Sequence, residues 1–398
     1  MGKTRPDKKN KKRGALSRAA TGPAEDETAK AVSPLLLVQM ATFQISEGNA
    51  EDALALATQA LDASQPGSDG TLAALNVLGQ INIELGDFDA ARSFFLRAVA
   101  IDQDGRRNED VGGGPEKFLC LAQLSEEGGN DSVRWFEKGA AALKAQIQDL
   151  EEEAGRRRTA RAEEKQEKEM QVEELRRKHA MTLCSVAEIY MTDLSWEADA
   201  EQRCEALVTE ATMVAPDFAE SWQTLANVRI SQTRIEDARA ALRRSMELWK
   251  DLPSADPSVP DFPSRVSLAR LLMEVEMEQE ALEVLERLVG EDDQSVEVWY
   301  LGGWGLYVMG DKQRTENKGP EDEWQASWIS SRVWLNQCQT LYQQQQYEDD
   351  RLGEHAKELL DAIAKVLGEA PEIEEEDDDD DEGDWVEEGS DEDDEMEG

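Results

Sequence analysis

Few residues in this 398-residue sequence have the types and spacing that catalysis needs. The chain contains two histidines, His179 and His355, and neither is close in sequence to a candidate nucleophile. General acid–base catalysis most often uses a histidine that is positioned beside the group it activates. We therefore interpret both histidines as exposed surface residues, and we expect a protein that has neither enzymatic activity nor a cofactor.

The four cysteines also lack a chemical pattern. They are far apart in the sequence, with no Cys-x-x-Cys pair and no accompanying group of histidines: Cys120, Cys184, Cys204 and Cys338. Zinc sites and disulfide frameworks both depend on closely patterned cysteines. The sequence therefore predicts no metal site and no disulfide framework, and it favours a reducing compartment.

Two further segments resemble ligand sites in composition only. The run Gly112–Gly114 is not followed by the Gly-Lys-Ser/Thr of a phosphate-binding loop, and no predicted strand precedes it. Residues 372–398 contain 19 acidic residues, but not the spacing or the glycine of an EF-hand loop. We interpret the glycines as a linker and the acidic segment as a tail that binds cations without specificity.

The net charge of the chain favours basic protein partners. With 87 acidic and 43 basic residues, the formal charge is −44. Such a charge repels phosphate backbones and anionic membrane surfaces and attracts basic proteins. No apolar run approaches the roughly 18 residues of a membrane span, and the basic N-terminus lacks the apolar core of a signal peptide. We therefore expect a soluble intracellular protein that binds neither nucleic acid nor membranes directly.

The helices that must position any binding residues follow a repeat of about 34 residues. The segment SWQTLANVRISQTRIEDARAALRRSMEL places Trp222, Leu225, Ala226, Ala238 and Leu242 at the defining positions of a tetratricopeptide repeat. Small residues at these positions let two short helices approach closely, and the large ones pack against the next repeat. The same pattern recurs along the chain, at Leu37, Met40, Ala41, Ala53, Ala57, Ala60, Leu75, Leu78, Gly79, Ala91, Phe95, Ala98, Ala269, Ala281, Leu285, Trp299 and Gly303. The sequence therefore predicts an all-α, right-handed superhelical solenoid of roughly six to seven tetratricopeptide-type repeats.

This pattern divides the chain into three parts. Residues 1–30 and 369–398 are predicted to be a disordered basic segment and a disordered acidic tail, because neither can bury enough apolar surface to offset the entropy of ordering. Residues 31–368 form the solenoid, in which 348–368 is a capping helix and 310–323 a loop. Residues 151–178 carry nine acidic and nine basic groups. They predict a charged helical insertion, which either extends the second helix of the third repeat into solvent or forms a docking arm.

The first helix of each repeat lines the concave face of such a solenoid, so its outward positions are the predicted binding residues. Carboxylates pair with Lys and Arg, amides bind an extended backbone, and aromatic rings stack on guanidinium groups. We therefore predict a groove that binds an extended basic segment of a client protein. Its predicted residues are Asn76, Gln80, Glu84, Glu116, Gln123, Glu126, Glu127, Glu188, Glu220, Gln223, Asn227, Arg270, Glu274, Glu297, Tyr300, Trp304 and Tyr307.

A cluster of basic residues near the N-terminus predicts nuclear import. The segment KKNKKRGALSR matches the short Lys/Arg-rich pattern of import signals and contrasts with the acidity of the remaining chain. We therefore expect the protein in both cytoplasm and nucleus. An import receptor is expected to bind Lys8, Lys9, Lys11, Lys12 and Arg13.

The combination of these features resembles one known family. The regular repeats, the charged insertion, the tryptophan-rich last repeat, the acidic tail and the Lys-rich start together are similar to the dedicated assembly chaperones of large-subunit ribosomal protein four. This resemblance implies a chaperone that captures the newly made ribosomal protein and shields its long basic internal loop in the concave groove. It also implies escort of the client to nuclear pre-ribosomes, and it implies no cofactor and no catalysis.

Two other functions remain open from the residues themselves. A tetratricopeptide-repeat protein can serve as a structural adaptor in a multi-protein complex, and an acidic tail is also a feature of histone chaperones. An adaptor should purify within a stoichiometric complex, and a histone chaperone should select histones. A dedicated ribosomal-protein chaperone should instead capture one basic protein in a salt-sensitive manner.

Overall fold

The computed structural model describes residues 32–156, 162–315 and 321–368. These residues form fifteen α-helices and one short 3₁₀ helix, Glu109–Val111, and no β-strand occurs among them. The helices group into two compact units, Met1–Pro216 and Asp217–Gly398. The predicted disordered segments 1–30 and 369–398 lie outside the described residues.

The first unit is built from consecutive helices that pack on each other in pairs. Local sequence sets where they begin, as at Ser33 and Ser68, whose hydroxyl oxygens accept the backbone N–H groups of Leu36 and Thr71, both at 3.2 Å. The helices are α1 (Pro34–Ser46), α2 (Ala50–Ala63), α3 (Asp69–Glu84), α4 (Phe88–Ile101), α5 (Glu116–Gln123), α6 (Gly129–Arg156), α7 (Ala162–Met191) and α8 (Ala200–Val214).

Small residues at the predicted repeat positions allow the paired helices to approach closely. Ala41, Ala53 and Ala57 are fully buried between α1 and its neighbours. A Cβ atom on Gly79 would lie 2.5 Å from the ring of Phe95, which is closer than side chains tolerate. Glycine is therefore required at this position of α3 because the Phe95 ring of α4 occupies the space beside it.

A buried ion pair secures the connection between α4 and α5. The Lys117 ammonium is fully enclosed and donates to a carboxylate oxygen of Asp102 at 2.7 Å and to the Gly114 carbonyl at 2.6 Å. The second carboxylate oxygen of Asp102 accepts the backbone N–H groups of Arg106 at 3.0 Å and Arg107 at 3.3 Å. One carboxylate thus organises the irregular segment that leads into α5.

The charged insertion 151–178 is not an extension of one helix. It is divided between the end of α6 and the first half of α7, which pack on each other. Ion pairs cross between these helices, from Arg176 to Glu151 at 2.6 Å and from Lys168 to Glu153 at 3.0 Å. The insertion therefore extends both α6, the second helix of the third repeat, and α7, and ion pairs join the two helices. Its role as a docking arm stays a prediction.

The second unit continues the paired arrangement and ends in a single helix. Its predicted repeat residues Ala226, Ala238, Leu242, Ala269 and Leu285 are all fully buried. The helices are α9 (Ala219–Ser231), α10 (Ile235–Glu247), α11 (Phe262–Glu274), α12 (Glu278–Glu291), α13 (Val296–Thr315), α14 (Glu321–Gln345) and α15 (Asp350–Leu367). Helix α15 lies where the capping helix was predicted.

The predicted loop 310–323 is largely helical, because α13 continues to Thr315 and α14 begins at Glu321. Gly310 does not end its helix. A Cβ atom there would lie 2.4 Å from the Trp328 indole, so the glycine makes room for that ring. Trp328 is 1% exposed and donates its indole N–H to the Tyr307 carbonyl at 3.0 Å, which ties α14 to α13.

Candidate peptide-binding surfaces

Several of the first helices of successive pairs are neighbours within their own unit. Helix α1 contacts α3 in the first unit, and α11 contacts both α9 and α13 in the second unit. Helix α13 in turn contacts α15. Outward residues of these helices therefore share a face within their unit, as the repeat pattern predicts.

In the first unit, most of the predicted binding residues reach the surface. Glu126 and Glu127 lie in the turn after α5 and not on the helix itself, because α5 ends at Gln123. Glu116 forms an ion pair with Lys178 of α7. Glu188 reaches solvent, yet desolvation by the surrounding atoms raises its pKa. The exposed predicted residues of this unit are Gln80, Glu84, Glu116, Gln123, Glu126, Glu127 and Glu188.

Two of the predicted amides are structural and do not line a surface. Asn76 is 9% exposed, and its amide N–H₂ group donates to the carbonyls of Leu72 at 3.0 Å and Gly112 at 2.6 Å. Gln223 is 7% exposed and donates to the Ser245 hydroxyl at 3.3 Å. Because both side chains bond inside their units, their prediction as client contacts is corrected.

An acidic and apolar pocket lies at the turn between α3 and α4. Phe88 is 56% exposed and Leu85 is 43% exposed, although both are large and apolar. Together with Asp87, Asp89 and the predicted Glu126, they line an open pocket of about 420 Å³. This part of the first unit offers carboxylates next to apolar surface, a combination that suits the long stems and charged ends of Lys and Arg.

In the second unit, five predicted residues come together in one open cavity of about 770 Å³. Met273, Leu301 and Leu352 contribute apolar surface to it. The five predicted residues are Arg270, Glu274, Glu297, Tyr300 and Trp304, and the residues that the repeat pattern did not identify are Tyr347, Asp349, Arg351 and His355. We call this site the α11–α13–α15 cavity.

Three rings in this cavity hold one another in place. The Tyr300 and Trp304 rings stack with centroids 6.0 Å apart, and His355 meets each of them edge-on at 5.8 Å. The Tyr300 hydroxyl and the Nδ1 atom of His355 are hydrogen-bonded at 2.8 Å. Burial raises the pKa of the Tyr300 hydroxyl, which keeps it neutral. The prediction that His355 is an exposed surface residue is wrong, because α15 brings its ring against α13.

Carboxylates surround these rings. Glu297 forms an ion pair with Arg270, and Asp349 accepts the backbone N–H groups of Arg351 at 3.1 Å and Leu352 at 3.2 Å at the start of α15. Within the described part of the chain, the carboxylate of Glu274 has no ion pair. Aromatic faces beside carboxylates are the chemistry that binds organic cations.

The other predicted residues of the second unit lie outside this cavity. Glu220 and Asn227 are partly exposed on α9. Tyr307 stacks on Trp328 with a centroid separation of 5.0 Å and an interplanar angle of 6°. It therefore belongs to the aromatic core of α13 and α14, and its prediction as a groove residue is corrected.

Two further reactive side chains, His179 and Cys338, are buried. His179 is 3% exposed, contrary to prediction, and burial lowers its pKa, so its ring is neutral. Burial raises the pKa of the Cys338 thiol to about 12, so it is protonated at neutral pH. Among residues 32–156, 162–315 and 321–368, no three His, Cys, Asp or Glu side chains converge on a metal site, and no helix could cross a membrane.

Comparisons with known proteins agree with the repeat pattern. The sequence model of the tetratricopeptide repeat family matches residues 33–104. A probable assembly chaperone of rpl4 from Emericella nidulans is 46% identical over 408 residues, which cover 100% of this chain and 99% of that protein. Its counterpart from Schizosaccharomyces pombe is 33% identical over 313 residues, covering 78% of this chain and 85% of that protein.

A solved structure extends the comparison to the fold. The structure of an assembly chaperone of RpL4, Acl4, is 57% identical and superimposes with a TM-score of 0.67, covering 72% of this chain and all of that one. The predicted all-α tetratricopeptide-repeat fold is therefore confirmed.

Proposed function

Because this chain belongs to the family of assembly chaperones of rpl4, we propose that it is a dedicated chaperone of that ribosomal protein. It binds the newly made protein and shields the extended basic loop of its client. Binding alone provides this protection, so the function requires neither catalysis nor a cofactor.

The observation that carries this proposal is the set of accessible carboxylates on the first helices of both units, next to exposed apolar or aromatic surface. A ribosomal protein is rich in Lys and Arg because it binds RNA, and until assembly those residues attract stray nucleic acid. Carboxylates that pair with them replace the missing phosphates. The formal charge of −44 adds long-range attraction, which speeds capture and which salt weakens.

The proposal can be tested by reversing charge at carboxylates that have no ion pair within the described residues. In the variant Glu84→Lys, Glu126→Lys, Glu274→Lys, each position loses an exposed attraction of roughly 0.5–1 kcal/mol. The sum of roughly 1.5–3 kcal/mol should raise the Kd for purified rpl4 by about ten- to 150-fold in isothermal titration calorimetry. The matched control is Asp62→Lys, Glu283→Lys, Glu286→Lys, which makes the same change on the exposed faces of the second helices α2 and α12.

Equal binding by the two triple variants would remove the surfaces around Glu84, Glu126 and Glu274 from the proposed function. Partner purification at moderate salt then distinguishes the alternatives. One dominant ribosomal protein at equal stoichiometry supports a dedicated chaperone, histones would indicate a histone chaperone, and a stable multi-subunit assembly would indicate an adaptor.

Escort to the nucleus forms a further part of the proposal. It is supported by the sequence KKNKKR near the N-terminus, which lies outside the described residues. Replacement of Lys8, Lys9, Lys11, Lys12 and Arg13 by Ala is expected to confine a fluorescent fusion to the cytoplasm while rpl4 binding is retained. Nuclear accumulation of that variant would show that import does not depend on this cluster.

A further inference from the structure

The α11–α13–α15 cavity contains an ion pair in which one of the chain's own arginines occupies a carboxylate. Arg270 reaches from α11 to Glu297 on α13, in the cavity that Trp304 also lines. The Arg270 side chain is 59% exposed, whereas Glu297 is only 24% exposed. The carboxylate is thus mostly enclosed by the fold, whereas the guanidinium that neutralises it is mostly exposed to solvent.

The walls of the cavity suit a second guanidinium. The stacked rings of Tyr300 and Trp304 present an aromatic face, and the His355 ring braces both of them. Glu274 and Asp349 add two more carboxylates to the lining, which also contains the guanidiniums of Arg270 and Arg351. A planar guanidinium can stack on an aromatic face and hold a carboxylate with two parallel hydrogen bonds, which the ammonium of lysine cannot do.

The size of the cavity agrees with this ligand. Its volume of about 770 Å³ lies in the range of roughly 300–1,000 Å³ that encloses small ligands. It therefore accepts an arginine side chain together with some of the backbone that carries it. The apolar side chains of Met273, Leu301 and Leu352 can cover the aliphatic stem.

We propose that the α11–α13–α15 cavity is an arginine-binding site, in which a guanidinium of the client replaces Arg270 on Glu297 and stacks on Trp304. The source of the arginine rests on the proposed function, since it comes from the basic segment of rpl4. Arg270 acts as an internal placeholder: it satisfies Glu297 in the free chaperone and competes with the client for the same carboxylate.

The placeholder role predicts opposite effects for the two members of the pair. Arg270→Ala removes the competitor and leaves Glu297 available, so the basic segment should bind about three- to fivefold more tightly, the equivalent of one exposed ion pair. Glu297→Gln removes the carboxylate and should weaken binding about tenfold or more. Trp304→Leu should weaken binding about fivefold through loss of the stacking face.

The test uses the full chain and synthetic peptides from the basic segment of rpl4, measured by fluorescence anisotropy. In each peptide one arginine is replaced by citrulline, which keeps the shape and removes the charge. One position should lose about tenfold in affinity for the wild-type chain, and it should lose nothing against Glu297→Gln. The matched controls are Arg243→Ala on α10 and Glu283→Gln on α12, which make the same charge changes on exposed residues outside the cavity.

Several results would overturn the site. Weaker binding by Arg270→Ala would mean that Arg270 itself contacts the client, and an effect equal to that of Arg243→Ala would mean that it does not compete. The absence of any arginine that couples to Glu297 would also exclude the site. Urea unfolding shows whether Trp304→Leu is still folded. If it is not, Glu297→Gln still tests the site, because that substitution removes no apolar side chain.

A second probe separates this inference from the proposed function. If the wild-type chain does not bind rpl4 peptides, the proposed function fails, and the cavity is then judged by titration with N-acetylarginine methylamide. That probe should shift the indole N–H resonance of Trp304, assigned with Trp304→Phe, more strongly in Arg270→Ala than in the wild type. No shift in either protein, or an equal shift with N-acetyllysine methylamide, would reject an arginine site.

Discussion

Replacing Lys117 should destabilise the first unit more than any surface change, because the buried carboxylate of Asp102 would lose its counter-charge. Desolvation raises the pKa of Asp102, but the hydrogen bond and charge of Lys117, together with the backbone donors of Arg107 and Arg106, leave that pKa below its ordinary value. Lys117→Met keeps the stem of the side chain and removes the ammonium. Asp102, whose side chain is 4% exposed, then keeps only its two backbone donors.

The expected cost follows from this geometry. Breaking a buried ion pair from one side typically costs about 3–5 kcal/mol, because the remaining charge is uncompensated. Removing the charge as well, in the double variant Lys117→Met, Asp102→Asn, should recover at least half of that loss, since an amide can still accept from the backbone of Arg106 and Arg107. The double variant therefore provides the control for the single one.

Urea unfolding followed by far-UV circular dichroism measures the loss, and hydrogen exchange places it in the molecule. We expect faster exchange in residues 102–123, where Asp102 and Lys117 hold the segment that leads into α5 and its surface carboxylate Glu116. A single-variant cost below about 1 kcal/mol, or a double variant as unstable as the single one, would refute the assumption that Lys117 neutralises a buried charge.

Two further predictions concern strain and acid sensitivity in the second unit. Thr233 has a φ of 59° in the turn between α9 and α10, a conformation that costs a β-branched residue about 1–2 kcal/mol. Thr233→Gly should therefore stabilise the chain by about 0.5–1 kcal/mol in urea unfolding. The control Thr233→Ala should leave the stability unchanged or lower it. Destabilisation by glycine would contradict the strain. The hydrogen bonds from Arg265, at 2.7 and 2.6 Å, lower the pKa of Glu291 from its ordinary 4.5 to about 2. Because the folded-state pKa is lowered, this stabilisation is complete above pH 4.5 and is lost as pH falls towards 2. Glu291→Gln should make the free energy of unfolding depend less on pH in that window. An unchanged pH dependence would mean that other groups cause it.

The repeat period predicted the packing of the fold because it reports a local requirement. Ala41 and Ala226 are fully buried, and at Gly79 the Phe95 ring of the paired helix leaves no room for a side chain. Such small buried residues recur once per repeat. The period could not predict Gly310, whose neighbour is the Trp328 ring of the following helix. In the sequence this glycine is typical of a helix end. Only the packing of α14 shows that the glycine leaves space for the Trp328 ring.

The exposure of the candidate binding residues was predicted correctly where it depends on the helix alone, as at Glu84 and Glu274. The prediction was wrong for Asn76, because the Gly112 segment covers it and accepts its hydrogen bond. His355 was also missed, since it lies 55 residues from Tyr300 in sequence and meets it only because α15 packs against α13. A repeat pattern specifies each helix but not the irregular segments that cover or complete its surface.

Net charge and contact geometry make different contributions to the choice of client. A formal charge of −44 attracts every basic protein, and salt at physiological strength screens that attraction beyond about 8 Å. Selectivity must therefore come from contacts whose strength depends on the shape of the cation. The ion pair between Arg270 and Glu297 makes binding depend on the shape of the cation, because a ligand must displace a guanidinium that already pairs with the carboxylate. A lysine-rich protein gains little from that exchange, whereas an arginine that also stacks on Trp304 gains the aromatic contact. Acidity thus concentrates basic proteins near the chain, and the α11–α13–α15 cavity discriminates among them.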